Sequence, residues 1–144
     1  MLQPKNPDFK QTIIKKLERQ HFMHHIGFNL TKIESGCIEG ELIIEEKHEQ
    51  QIGFLHGGVT STLADLVMGF AAYSLVDINE ATVTSDLKIA YLRPGIGHKV
   101  IAKGRVIKAG NLLYFCEADI ICIDKQGNET LIARGYSTMC AIKI

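Results

Sequence analysis

Apolar positions change their period several times along the chain. Phe9, Ile13 and Leu17 recur four apart with Lys10, Lys15, Lys16 and Arg19 between them, the pattern of a helix with one buried stripe. Asn6, Pro7 and Asp8 precede it as a start signal: a capping side chain, a residue whose fixed φ suits a first turn, and an anion for the positive helix end. The pattern predicts a first helix reaching about residue 20 or 25. Two short strand-like runs follow, over 30–33 and 37–44, separated by the turn signal Ser35-Gly36. From residue 56 or 57 to about 76 the helical period returns, with Val59, Leu63, Leu66, Val67, Phe70 and Tyr73 covering more than one face. Twenty such residues make a rod of about 30 Å, the width of a small domain, so this helix belongs at the centre. Four further strand-like runs cover 81–92, 100–108, 112–123 and 130–142, joined by Pro94-Gly95, Gly110-Asn111 and the segment 124–128. The order predicts one α+β domain over 1–144, with 1–26 an N-terminal helical region and the last four strands an antiparallel meander wrapped round the long helix. Sheet edges and faces left open in this way invite a second copy of the chain.

The long helix carries the most informative residues. It opens on His56-Gly57-Gly58, where adjacent glycines let the backbone approach closely and where unpaired N–H groups can face a partly negative oxygen, as an oxyanion hole requires. Gly58, Thr62, Asp65, Gly69 and Ala72 form a small or polar stripe on an otherwise apolar helix. A carboxylate on such a stripe reads equally as a reactive group or as a hydrogen-bonded packing residue. His56 reads on pattern as a residue at a helix start.

Composition changes this picture little. Lysine and arginine number 16 against 16 aspartate and glutamate, which excludes a broadly cationic nucleic-acid-binding surface. No signal-peptide-length apolar run opens the sequence and no apolar run is long enough for a membrane span, so a cytoplasmic or organellar-matrix protein is expected. Cys37, Cys116, Cys122 and Cys140 form no CxxC pair and read as small buried hydrophobes in a reducing compartment. His21, His24 and His25 lack a second ligand cluster and read as a solvated helix end, so no metal is expected.

The run GFLHGGVTSTLAD over 53–65, the run TSDLKIAYLRP over 84–94 and the closing Ala133-Arg134-Gly135 resemble the hotdog-fold acyl-CoA thioesterases of the phenylacetate-degradation type, in the 4-hydroxybenzoyl-CoA thioesterase superfamily. The resemblance runs from about Gly27 to the end and implies the hotdog fold, a long helix enclosed by a curved antiparallel sheet. It implies hydrolysis of acyl-CoA to a carboxylic acid and coenzyme A, with no cofactor beyond the coenzyme A of the substrate. Gly57 would polarise the thioester carbonyl through its N–H, with Gly58 and Thr62 beside it. Asp65, from the partner subunit's central helix, would activate water or attack directly. Thr84 corresponds to the site that holds the water, and His56 to a residue touching the thioester. Gln50 falls where relatives carry Asn, one methylene shorter. A site that combines residues of two chains implies a homodimer or homotetramer.

Charge is unevenly distributed. Residues 85–110 carry a net five positive charges, and residues 34–51 a net five negative. Lys88, Arg93 and Lys108 are therefore candidates for the phosphates of coenzyme A, Arg93 first, against the alternative that the basic residues form cross-strand ion pairs. Two other functions remain open on sequence: a non-catalytic acyl-CoA-binding module, and a hotdog hydratase or dehydratase, for which no second carboxylate stands near His56.

Overall fold

The computed structural model describes residues 2–144. Two short helices come first, α1 (Phe9–Leu17) and α2 (His21–Ile26). The single helix expected here breaks at Gln20 (φ −81°, ψ 67°). After Leu17 the apolar stripe loses phase, Met23 being buried while Phe22 is exposed, and the Leu17 carbonyl is taken by the His24 ring at 2.8 Å. Asn6 starts α1 from outside: its Oδ1 accepts the Asp8 N–H at 3.0 Å and its amide donates to Thr12 Oγ1 at 3.1 Å.

The strands are β1 (Phe28–Glu34), β2 (Cys37–Ile43), β3 (Glu80–Tyr91), β4 (Lys99–Ala109), β5 (Leu113–Ile123) and β6 (Glu129–Lys143), and between β2 and β3 runs the long helix α3 (Gly57–Tyr73). All neighbours in the six-stranded sheet are antiparallel, in the order β1-β2-β4-β5-β6-β3. This corrects the expected meander, because β3 does not pair with β4. The Pro94-Gly95 segment runs on instead of turning back: Leu92 and Arg93 both donate to the Ile132 carbonyl, and Leu55 donates to that of Gly95. β4 is thereby delivered to the far side of β5, beside β2, and β3 closes the other edge against β6.

The sheet curves round α3, and alternation sets its inner face. Val100, Ala102, Gly104 and Val106 of β4, with Cys116, Ala118 and Ile120 of β5, are buried beneath Leu63, Ala64, Val67 and Met68. Each large apolar side chain so buried contributes about 1.5–3 kcal/mol. The helix lies so close that a Cβ at Gly104 would stand 2.6 Å from the Val67 backbone carbon, so only glycine fits. This is the hotdog arrangement. One stripe of α3 stays uncovered: Gly58, Ser61, Thr62, Asp65, Leu66 and Gly69 are partly or fully exposed, beside the unpaired edge of β3, whereas Ala72 is buried. No helix among the described residues is long and apolar enough to cross a membrane.

Candidate active site

Two clefts open along α3. The first surrounds its N-terminus. His56 is extended (φ −63°, ψ 134°), and its Nδ1 accepts the Gly58 N–H at 2.8 Å, capping the helix. The His56 carbonyl accepts the N–H groups of Val59 and Thr60 at 2.9 and 3.2 Å. Of the first turn's donors, the Gly57 N–H alone has no partner among the described residues. Gly58, named with Gly57 in the sequence, has its own N–H spent on the cap.

Tyr91, at the end of β3, lies against Gly57 and donates its hydroxyl to the Gly57 carbonyl at 2.9 Å. A Cβ at Gly57 would stand 3.3 Å from the Tyr91 ring, tighter than ordinary contact. Gln50 reaches the same cleft, its backbone N–H on the Phe54 carbonyl at 2.8 Å and its side-chain Oε1 accepting the Ile52 N–H. Arg93 stands at the mouth, one guanidinium nitrogen donating to the Leu131 carbonyl at 3.0 Å. The cleft they line has a volume of about 390 Å³.

The second cleft, about 280 Å³, lies further along the helix between Asp65, Gly69, Phe70, Tyr73 and β3. Thr84 Oγ1 donates to Asp65 Oδ1 at 2.7 Å. A bulge at Ser85 produces that contact: the register with β6 shifts between Thr84 and Asp86, so Thr84 faces inward beside Met139 while Asp86 faces outward and accepts the Thr138 N–H at 3.0 Å. Asp65 and Gly57 are eight residues apart on one rigid helix, which separates them by about 12 Å. Within one chain they cannot reach the same carbonyl group. Thr62 turns back on its own helix and donates to the Gly58 carbonyl at 2.8 Å, lining neither cleft.

The basic residues divide. Lys88 and Lys108 point to the outer face of the sheet, paired in register with Tyr136 and Phe115, and line neither cleft. Cross-strand ion pairs engage much of the rest: Lys99 with Glu41 at 3.3 Å, and Arg105 with Glu117. Arg93 alone of the three phosphate candidates borders a cleft. Tyr91 is the residue that sequence reasoning did not single out, although it stands in the quoted Y-x-R-P run.

The two buried thiols, Cys116 and Cys122, are not nucleophiles at neutral pH. Burial pushes Cys116 up to about 12 and Cys122 up to about 11. Among the described residues no three His, Cys, Asp or Glu side chains are grouped to hold a metal ion. The chemistry available is therefore a backbone donor at a helix N-terminus, a carboxylate held by a hydroxyl, and an apolar cavity beside it.

Comparison with known proteins identifies the family. A family model described as the thioesterase superfamily matches residues 52–127, which span both the α3 N-terminus and Thr84. The human protein named acyl-coenzyme A thioesterase 13 is 28% identical over 129 residues, covering 88% of this chain and 89% of its own. A thioesterase family protein from Silicibacter pomeroyi superposes with a TM-score of 0.92 at 29% identity, covering 94% of this chain and 99% of that one. The PaaI protein of the E. coli phenylacetic acid degradation operon shares the fold at a TM-score of 0.82 and 19% identity, covering 96% of each chain.

Proposed function

Since the chain belongs to the thioesterase superfamily and is a thioester hydrolase, we propose that its substrates are acyl-CoA thioesters and that two copies of the chain together build each catalytic site. The observation that carries this reading is the division of α3: an unpartnered N–H at Gly57, and about 12 Å away a carboxylate at Asp65 on the uncovered stripe of the helix next to a free strand edge. A two-fold axis crossing α3 near Ser61, midway between them, sets Gly57 of each protomer beside the partner's Asp65. The unpaired edge of β3 supplies an isologous seam for that axis.

In the composite site the thioester carbonyl oxygen lies against the Gly57 N–H at the positive end of α3, where the charge that develops on oxygen is stabilised. The partner's Asp65 takes a proton from water as the water oxygen bonds to the carbonyl carbon, and Thr84 fixes the carboxylate so that one oxygen remains for this work. Collapse expels the coenzyme A thiolate, a good leaving group, so no Ser-His-Asp triad is needed. Attack by Asp65 itself, through an anhydride, uses the same geometry. His56 holds the helix start, Tyr91 holds the Gly57 peptide, and Arg93 at the mouth meets a phosphate of coenzyme A. The reaction suits a cytoplasmic or organellar-matrix compartment, where acyl-CoA is made and used.

Thiol release from a panel of acyl-CoA esters tests the proposal. Turnover by the native chain, with loss in Asp65→Asn, supports it. Tight binding of acyl-CoA without thiol release would replace it with a binding module.

A further inference from the structure

The Asp65 cleft has a far end that the hydrolytic chemistry does not use. From Asp65 it runs along α3 past Gly69, where no side chain intrudes, and Phe70 to Tyr73, again eight residues or about 12 Å. Between Thr84 and the far end its walls are apolar except at Thr82, whose hydroxyl is spent on the Gly69 carbonyl at 3.2 Å, until Tyr73, Lys16 and Gln20 are reached. Tyr73 is 8% exposed, and its hydroxyl makes no hydrogen bond among the described residues. Lys16 projects from α1 so that Nζ stands 5.3 Å from the centre of the Tyr73 ring. Like most of the lysines, Lys16 pairs with no carboxylate among the described residues; what sets it apart is its place at the end of this cleft, over Tyr73. The cavity thus begins at a carboxylate, continues apolar, and ends at a cation, a phenol and an amide, all lacking an anionic partner.

Resting on the acyl-CoA reading above, we propose that this end recognises a carboxylate at the tip of the acyl group, so that the preferred substrates are ω-carboxyacyl thioesters of medium length. Lys16 supplies the charge, with Tyr73 and Gln20 as hydrogen-bond donors to the same anion. The apolar stretch between accepts the methylenes, and Asp65 at the reacting end repels a carboxylate placed the wrong way round.

The test compares kcat/KM for an ω-carboxyacyl-CoA with that for the unsubstituted acyl-CoA of equal chain length, using the full chain. The native protein favours the ω-carboxy ester by about tenfold, as a charge-assisted contact provides. Lys16→Met, which keeps the stem over Tyr73, brings the ratio close to one, and Lys16→Glu inverts it. Lys10→Met, on the same helix outside the cleft, leaves the ratio unchanged. A native ratio near one, or a ratio indifferent to Lys16→Met, overturns the proposal while leaving thioester hydrolysis standing. If no acyl-CoA of either kind is cleaved, the substrate reading falls and this inference with it.

Discussion

The two clefts of α3 draw on opposite resources. At the N-terminus the working group is backbone: an N–H freed because the His56 cap satisfies its neighbours, and kept open because glycine lets Tyr91 lie close. Two turns on, the working group is a side chain, Asp65, steered by Thr84 across a bulged strand. In the proposed mechanism one polarises an electrophile and the other makes a nucleophile, and a thioester needs both at one carbon. The same straight helix that positions each of them keeps them apart, so the fold of the single chain is complete while its chemistry is not. On the proposed reading a second copy completes the catalyst, and changes at the two ends have different signatures.

Changes at the carboxylate end have the largest expected effect. Asp65→Asn is isosteric and keeps an acceptor for Thr84, so the fold and oligomer persist, yet kcat falls by at least a few hundredfold because the base is gone. Steady-state thiol release together with the mass in solution checks both halves of that statement. At the backbone end, Gly57→Pro removes the N–H and, as alanine does, adds a Cβ that presses on Tyr91; the backbone tolerates it, because proline suits the first helical position and His56 already has the extended ψ of 134° that a following proline requires. A loss of about a hundredfold in kcat is expected, against a smaller loss for Gly57→Ala, which keeps the N–H and only presses on Tyr91. If Gly57→Ala is as damaging as Gly57→Pro, contact with Tyr91 matters more than the donor.

Supporting residues sharpen the contrast with smaller effects. Thr84→Val keeps the volume and deletes the bond to Asp65; about a tenfold loss in kcat is predicted, with KM little changed, as hydrogen bonds to charged groups imply. Tyr91→Phe deletes a neutral bond to the Gly57 carbonyl and is expected to cost about threefold. Equal losses in these two variants would mean that the carboxylate and backbone ends are held with equal stringency.

Much of this was legible in the sequence, and what was not has local causes. The central helix and its exceptional stripe follow from period alone, and the motifs name Gly57, Asp65 and Thr84, of which the structure joins the last two by a hydrogen bond. The placement of Lys88 and Lys108 is instructive. Counting alternate residues from Thr84, Lys88 shares the inner face, and counting from Gly104 and Val106, so does Lys108. One bulge between Thr84 and Asp86 and another between Val106 and Lys108 reverse the parity, and both lysines face outward. A bulge adds a residue without a compositional mark, so strict alternation cannot reveal it. Strand order failed for a related reason: where β3 pairs is decided by the far ends of the sheet, after Pro94-Gly95 has run on past the point where a hairpin would turn. The basic surplus of 85–110 likewise hid the fact that Lys99 and Arg105 meet glutamates from neighbouring strands.

Mixing the two disabled chains tests most directly whether the halves meet across a subunit boundary. Asp65→Asn and Gly57→Pro protein, each inactive, are dissociated, combined in equal amounts and reassembled, with mixed oligomers counted by native mass spectrometry. Random pairing makes half the dimers mixed, and each mixed dimer contains one site with both native halves, so about a quarter of native activity returns. Activity that stays at the level of the two parents, with mixed dimers present, would contradict a site shared between chains.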